Sequence, residues 1–382
     1  MEICGIICEY NPLHLGHKKQ LTLVREQIGA EGGIVCLMSG NFVQRGHPAI
    51  MDKSIRAEAA IKSGADLVLE LPITYALSSA EGFAAGGVSI LSPFCKWLCF
   101  GAENPDKDAL LKTANALLSP AFSQALRTYL DEGLSFPAAR QKALSSMGLD
   151  TSLLESPNNI LAVEYCKAIL AQNSQMQPMP IFRPDKYHSE ETDEENPSAT
   201  SVRDKMLHQE SFLAFLPEET RKAFFTAPLH SLQAGERAIL GKLRTMTDRE
   251  FACLPGGSEG LWRKLMHAAR ECIRVEEIAT SVKSKRYTRT RIDRMILCAF
   301  LGITEEMLRI QAPYVRVLAL NDRGREILKI ARQYGNFINT GESCDGAYAE
   351  LENRCGGLYG LFAEDSIEAP DSESTRRIRY IP

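Results

Sequence analysis

Four short apolar runs in the first hundred residues, separated by segments of helical pattern, most restrict what this chain can fold into. The runs are residues 2–8, 33–38, 65–71 and 96–100, and the helical patterns between them cover 14–27, 52–63 and 80–91. Antiparallel strands need only a tight turn between them, whereas parallel strands need a connection of helix length. The alternation therefore predicts a parallel sheet with helices packed on it. Leu67-Val68-Leu69 is apolar at consecutive positions, so both faces of that strand are expected to be covered. The fold class that follows is α/β, with a Rossmann-like parallel sheet.

Beyond Asp106 the pattern becomes helical, at 110–118, 122–130, 137–146 and 159–171, before a short apolar pair, Ile181-Phe182. Five acids then fall within residues 190–195, which reads as a solvated loop. From about residue 218 to 308 the chain is helical and more basic; 315–320 is strand-like and a turn follows at 321–324. No internal repeat is evident, and the text after Asp365 reads as a loose tail. The division expected is a Rossmann-like domain over 1–220 and a mostly helical domain over 221–382. The 382 residues carry 44 basic and 48 acidic side chains, a net charge of -4, so any nucleic-acid contact must come from a local basic patch. The N-terminus lacks the pattern of a signal peptide, and no long uncharged apolar window predicts a membrane span. Eleven scattered cysteines without a Cys-x-x-Cys pair read as reduced thiols in a cytoplasmic protein, and no clustered metal ligands are expected.

The densest chemistry lies where the first strand hands over to its helix: Glu9-Tyr10-Asn11-Pro12-Leu13-His14-Leu15-Gly16-His17. In an open parallel sheet that edge is where ligands bind. His14 and His17 are three residues apart and share a face at the first turn of the helix, whose N-terminus attracts anions. Gly16 between them would let a nucleotide lie close to the backbone. An isolated imidazolium is disfavoured at a helix N-terminus, and a bound triphosphate would favour it, so protonation should be coupled to ATP binding. A metal pair or two unrelated surface residues remain alternatives for the histidines alone. Later, Ser198-Ala199-Thr200-Ser201-Val202-Arg203 offers a capped helix start and a guanidinium, a second phosphate contact or simply a capped helix.

The His-x-Gly-His text resembles the signature of the nucleotidyltransferase α/β-phosphodiesterase superfamily. The Lys-Met-Ser-Lys-Ser form of aminoacyl-tRNA synthetases is absent. With Met38-Ser39-Gly40-Asn41-Phe42-Val43-Gln44-Arg45-Gly46, Pro48-Ala49-Ile50, Lys53, Arg56-Ala57, Gly64-Ala65-Asp66-Leu67-Val68-Leu69-Glu70-Leu71-Pro72 and Tyr287-Thr288-Arg289-Thr290-Arg291-Ile292-Asp293-Arg294, the chain resembles the tRNA(Met) cytidine acetate ligase family. That resemblance runs from Glu2 to about Leu328. It implies an enzyme that makes acetyl-adenylate from ATP and acetate and transfers acetyl to N4 of the wobble cytidine of elongator tRNA(Met). No membrane association is expected, and no protein partner is predicted.

Carried over, the catalytic pair is His14 and His17. The ATP-contacting stretch is Ile7-Cys8-Glu9-Tyr10-Asn11-Pro12-Leu13-His14-Leu15-Gly16-His17-Lys18-Lys19-Gln20, joined by Gly101, Asn158 (or its neighbour Asn159) and Arg183. Ser198, Ser201 and Arg203 make the second phosphate contact. The stretch Phe182 to His188 departs from the family by Pro184. Magnesium would be held mainly through the ATP phosphates, with no dedicated protein ligands. A small-molecule adenylyltransferase of the pantetheine-phosphate or nicotinamide-mononucleotide type is the alternative, although the helical, basic second half would then lack a task. A non-catalytic RNA-binding protein on the same fold is a third reading.

Two segments stay open. Ser39 to Lys53 is either a lid over the pocket, with Gln44, Arg45, Lys53 and Arg56 supplying polar contacts, or an ordinary loop. Lys283, Lys285, Arg286, Arg289, Arg291 and Arg294 stand against one acid, Asp293, with Tyr287 among them. This is a tRNA-binding patch with a ring for base stacking, or a solvated helix face.

Overall fold

A computed structural model describes residues 1–183, 197–369 and 373–382. The acidic run 190–195 and the stretch 184–188 therefore lie outside the described residues. Strands β1 (Ile3–Cys8), β2 (Gly33–Ser39), β5 (Leu67–Leu71), β6 (Trp97–Ala102) and β7 (Gln177–Phe182) pair in parallel in the order β5-β2-β1-β6-β7. Between β2 and β5 a small hairpin, β3 (Phe42–Val43) with β4 (His47–Pro48), stands apart from the sheet.

The sheet's two faces explain the apolar runs. Val35 and Leu37 of β2 and Leu67, Leu69 and Leu71 of β5 enter one core, with Phe83, Val88 and Leu91 of the helix Ala80–Leu91. Ile34, Cys36, Met38 and Val68 face the opposite core, with Leu21 and Val24 of the helix Leu15–Ile28. Alternate residues of each strand thus meet helices on both sides.

The expected strand at 315–320 forms, as β8 (Val315–Leu320), but it does not stay with the helical half. It pairs antiparallel with β5 and carries β9 (Phe337–Asn339) and β10 (Arg379–Tyr380) alongside it, both in parallel. The sheet is thus mixed, and no break in it falls at residue 220. Asp66 helps anchor the addition: its main-chain oxygen accepts from Asn321 N at 3.0 Å, and its carboxylate from Asn321 Nδ2 at 3.0 Å. A third core fills the helical half, from Ile239 and Leu240 through Leu265, Ile296 and Phe300 to Tyr359 and Phe362. Phe42 of β3 enters it edge-on to Tyr359 and Phe362, tying the hairpin to the helices.

The order of strands reverses at β1, whose neighbours are β2 on one side and β6 on the other. The carboxyl ends of β1 and β6 therefore open on the crevice where such sheets bind ligands.

Candidate active site

The turn after β1 is fixed by backbone and buried side chains. Tyr10 has φ 45 and is 1% exposed, with its hydroxyl 3.4 Å from Cys36 Sγ. The Asn11-Pro12 bond is cis, and Asn11 Oδ1 accepts from Ile50 N at 2.7 Å. Leu13 is fully buried. These contacts hold His14 at the N-cap of the helix Leu15–Ile28.

His14 Nδ1 accepts from Gly16 N at 3.1 Å, and His17 Nδ1 accepts from His14 N at 3.3 Å. The two rings stack with centroids 3.7 Å apart. An imidazole nitrogen that accepts a hydrogen bond carries no proton, so in the neutral rings both protons sit on Nε2. The helix N-terminus thereby sets the tautomer of both histidines and leaves two Nε2–H donors. His14 Nε2 is buried and has no hydrogen-bond partner among the described residues. A buried donor without an acceptor is costly unless a ligand supplies one. Burial, reinforced by the charges of Arg183 and Arg203, pushes His14 down to about 3. Burial, then His14 and Arg183, holds His17 well below the usual histidine range.

Gly16 has a reason within the protein as well. A Cβ there would lie 3.0 Å from His14 Cε1, so the missing side chain makes room for the histidine ring.

Arg203 reaches the same turn from the helix Ala199–Leu207. Its Nη1 donates to Asn11 O at 2.6 Å and its Nη2 to Thr200 Oγ1 at 3.0 Å. Ser198 caps that helix, accepting from Ser201 N at 3.1 Å, and its O–H is left to donate. On the β6 side, Arg183 lies against Gly101, where a Cβ would come within 3.1 Å of Arg183 Cδ. Asn158 and Asn159, expected as alternatives, have different environments. Asn159 is 4% exposed and its Oδ1 accepts from Asn104 N at 3.0 Å; Asn158 is half-buried and its Nδ2 donates to Glu103 Oε1 at 2.6 Å.

The rest of the expected ATP stretch divides. Ile7 belongs to the sheet core, Lys18 pairs with Glu219 at 2.8 Å, Gln20 Nε2 lies 3.4 Å from Cys99 Sγ, and Lys19 is exposed.

The loop after β2 is built around two buried cations. Arg56 is fully buried and donates to the carbonyls of Glu9, Ser39, Gly40 and Met51, clamping the ends of β1 and β2 together. Lys53 Nζ lies 2.6 Å from both Glu70 Oε2 and Glu373 Oε1. Both are held by groups of the protein itself, which favours the ordinary-loop reading of this segment for these two side chains. Sequence reading also missed the bond from Gln44 N to Glu9 Oε1, 2.7 Å, which ties this loop to the histidine turn. A cavity of about 240 Å³, lined by Asp52, His230, Glu368 and Arg376, shares no residue with that turn.

The basic segment divides between its two readings. Tyr287 is 3% exposed, its hydroxyl donating to Glu259 O at 3.2 Å, so it is a packing residue with no face open for a base. Arg286 pairs with Glu259, Arg289 with Glu276 and Asp293, and Arg291 donates to Gly256 O at 2.6 Å. Arg294 is half-buried and donates to Gln44 O at 3.3 Å. Gly46, at φ 83, lies so close to Arg294 that any Cβ would strike its backbone. That contact brings the basic helix against the hairpin beside the histidine turn. Lys283 and Lys285 are exposed, and Lys264 extends their surface, its Nζ 5.5 Å from the Tyr287 ring.

Among the described residues no group of His, Cys, Asp and Glu is placed to hold a metal ion, and no helix is long and apolar enough to cross a membrane.

The model of the HIGH Nucleotidyl Transferase family matches residues 1–369. The tRNA(Met) cytidine acetate ligase of Alkaliphilus metalliredigens is 39% identical over 370 residues, covering 88% of this chain and 87% of that one. The enzyme of the same name from Clostridium novyi is also 39% identical, over 86% of this chain and 87% of its own. The crystal structure of Thermotoga maritima TmcAL in its apo form superposes with a TM-score of 0.91 at 28% identity, covering all of both chains. The same protein bound with alpha-thio ATP superposes with a TM-score of 0.88. The chain belongs to the HIGH Nucleotidyl Transferase family and, within it, to the tRNA(Met) cytidine acetate ligases.

Proposed function

We propose that this ligase activates acetate with ATP at the turn after β1 and passes the acetyl group to N4 of the wobble cytidine of elongator tRNA(Met). The observation that carries the reading is the stacked pair His14 and His17, whose Nδ1 atoms are tied to backbone N–H groups and whose Nε2–H groups remain to donate. Acetate alone is a poor acyl donor, because its leaving group would be oxide. An acetate oxygen attacks the α-phosphorus, the bond to the bridging oxygen breaks, and pyrophosphate departs. The cytidine amine, a weak nucleophile, then attacks the acetyl carbon of the mixed anhydride; AMP leaves and the amine loses a proton. Preorganised donors at the α-phosphate stabilise the charge that develops there, typically the largest catalytic effect.

His14 and His17 fill that role, with Arg183 and Arg203 adding positive charge from the two flanking elements. Asn158 and Gly101 would meet the nucleoside half of ATP. Magnesium would arrive with the ATP phosphates and offset their charge. The turn offers it imidazole and amide groups rather than a set of carboxylates, so no residue is assigned to it. The tRNA would lie on Lys283, Lys285 and Lys264, with its anticodon base unstacked into the crevice. ATP and tRNA as substrates put the enzyme in the cytoplasm. The 1–220 and 221–382 division keeps its meaning as nucleotide and RNA halves, although the sheet spans both.

The test is to incubate the protein with ATP, acetate and an elongator tRNA(Met) transcript and to analyse the nucleosides by mass spectrometry. N4-acetylcytidine that requires both ATP and acetate is expected. Acetylation without ATP, or none with all three present, would contradict the reading.

A further inference from the structure

Glu103 follows the end of β6 directly and makes four contacts with the start of the helix Pro157–Ala171. Its Oε1 accepts from Asn158 Nδ2 at 2.6 Å and from Asn158 N at 3.3 Å. Its Oε2 accepts from Asn159 N at 2.8 Å and from Ser156 Oγ at 2.9 Å. No side chain of Ser156 caps this helix itself, so Glu103 takes the capping task from a neighbouring strand. Asn159 closes the bracket by accepting from Asn104 N.

The bracket has a consequence for Asn158. A carboxylate only accepts hydrogen bonds, so the amide edge facing Glu103 must be the NH2 group. The orientation of this amide is therefore dictated by chemistry. Its carbonyl oxygen, Oδ1, is left without a partner among the described residues. Arg183, which lies against Gly101, feels the charge of Glu103, and His14 and His17 feel that of Arg183, so these groups are electrostatic neighbours.

We propose that Glu103 is a positioning residue that turns the Asn158 carbonyl toward the nucleotide, making Asn158 an acceptor that selects a hydrogen-bond donor on the nucleoside. This rests on the reading above that Asn158 meets ATP, and adds the polarity of the contact and the residue that sets it. The donors available on adenosine are the 6-amino group and the ribose hydroxyls. An oriented carbonyl discriminates against a nucleotide that lacks its donor, because the oxygen is then left desolvated and unpaired.

Calorimetric titration of the full-length protein with ATP, purine riboside triphosphate, 2′-deoxy-ATP and 3′-deoxy-ATP tests the idea and identifies the donor. The wild type should bind one analogue about tenfold more weakly than ATP, the size of one lost hydrogen bond. Asn158→Ala should weaken ATP and abolish that preference. Glu103→Gln, which lets the Asn158 amide turn, should reduce the preference while keeping part of the cap. Inorganic tripolyphosphate, which has no nucleoside, should bind all three proteins alike, a result that general loosening of the site would not give.

A preference that persists in Asn158→Ala overturns the proposal, and so does a wild type that binds all three analogues like ATP. ATP affinity unchanged in Asn158→Ala would remove Asn158 from the nucleotide site and the inference with it. A wild type that binds no ATP would instead refute the proposed function. A preference that survives intact in Glu103→Gln overturns the positioning role of Glu103.

Discussion

The turn after β1 and the segment 283–294 both carry dense chemistry in the sequence, yet the structure treats them in opposite ways. In the turn, the backbone takes up one nitrogen of each histidine and leaves the other to donate. In the basic segment, four of six cations are engaged with the protein itself: Arg286, Arg289, Arg291 and Arg294. A short motif whose residues are oriented by one helix start can be read locally. A charge cluster cannot, because its counter-charges come from other elements, here Glu259 and Glu276.

The comparison makes its strongest demand on the turn. His17→Ala should lower acetyl-adenylate formation by about 10²–10³-fold, the usual cost of removing one preorganised donor at a developing charge. Acetate-dependent pyrophosphate exchange measures it; a loss below threefold would break the contrast between the two regions.

A second variant tests whether the buried cations near the turn are scaffold. Lys53 bridges Glu70 and Glu373, with side-chain exposures of 4%, 12% and 4%. Lys53→Met leaves two buried carboxylates facing each other and should cost about 3–5 kcal/mol of stability, as breaking a buried ion pair does. Chemical denaturation reads this; an unchanged midpoint would favour the other reading of this loop, in which Lys53 supplies a pocket contact. Burial and the neighbouring carboxylates Glu373 and Glu352 push Glu70 up to about 7, against the pull of Lys53.

The basic segment should respond more gently and unevenly. Replacing Lys283 and Lys285 by Ala should weaken tRNA binding and reduce the slope of log K against log salt by about 0.7 per lysine. Arg289→Ala should leave that slope unchanged and lower stability by about 1 kcal/mol, since Asp293 loses a partner while the exposed Glu276 loses little. Filter binding across a salt series separates the two variants. Equal slopes for both would show that the ion pairs of Arg289 open for RNA.

The smallest expected effect is a proton. His14 is held at about 3 and His17 well below its usual value, so both are neutral at pH 7 in the free enzyme. Phosphates favour a charged ring, but its proton would go to Nδ1 and displace the backbone N–H bonded there, so ATP binding should take up less than one proton and strengthen only weakly as the pH falls toward 6. Calorimetry in buffers of different ionisation enthalpy measures the uptake; none beyond that of ATP itself would leave the histidines neutral in the complex. For folding the sign is the reverse. The unfolded histidines bind protons below about 6.5 and the folded ones do not, so their contribution to stability falls as the pH drops from there toward 3.

Much of the fold was legible because its signals are local. The strand runs and the helices between them lie within two or three residues of where the sequence places them, since each is set by apolar period and by Gly or Pro at its ends. β8 was legible as a strand but not as a neighbour of β5. Its partner lies far along the chain, and the Asp66–Asn321 contacts that join them have no signature in either segment. At the site, the histidines and Arg203 stood out by type and spacing. Glu103 did not: it is one acid in a turn, and only the fold brings the start of the helix Pro157–Ala171 to it. Tyr287 misled in the other direction, since an aromatic ring among arginines reads the same whether it faces RNA or a core.

The central claim is that the paired Nε2–H donors of this turn drive acetate adenylation. Exchange of labelled pyrophosphate into ATP, run with and without acetate on the wild type and on His14→Ala and His17→Ala, tests it most directly. The account predicts exchange that requires acetate, or acetate with tRNA(Met) present, and that collapses in both variants while their melting temperatures hold. Exchange that proceeds without acetate, or that survives loss of either histidine, would contradict it.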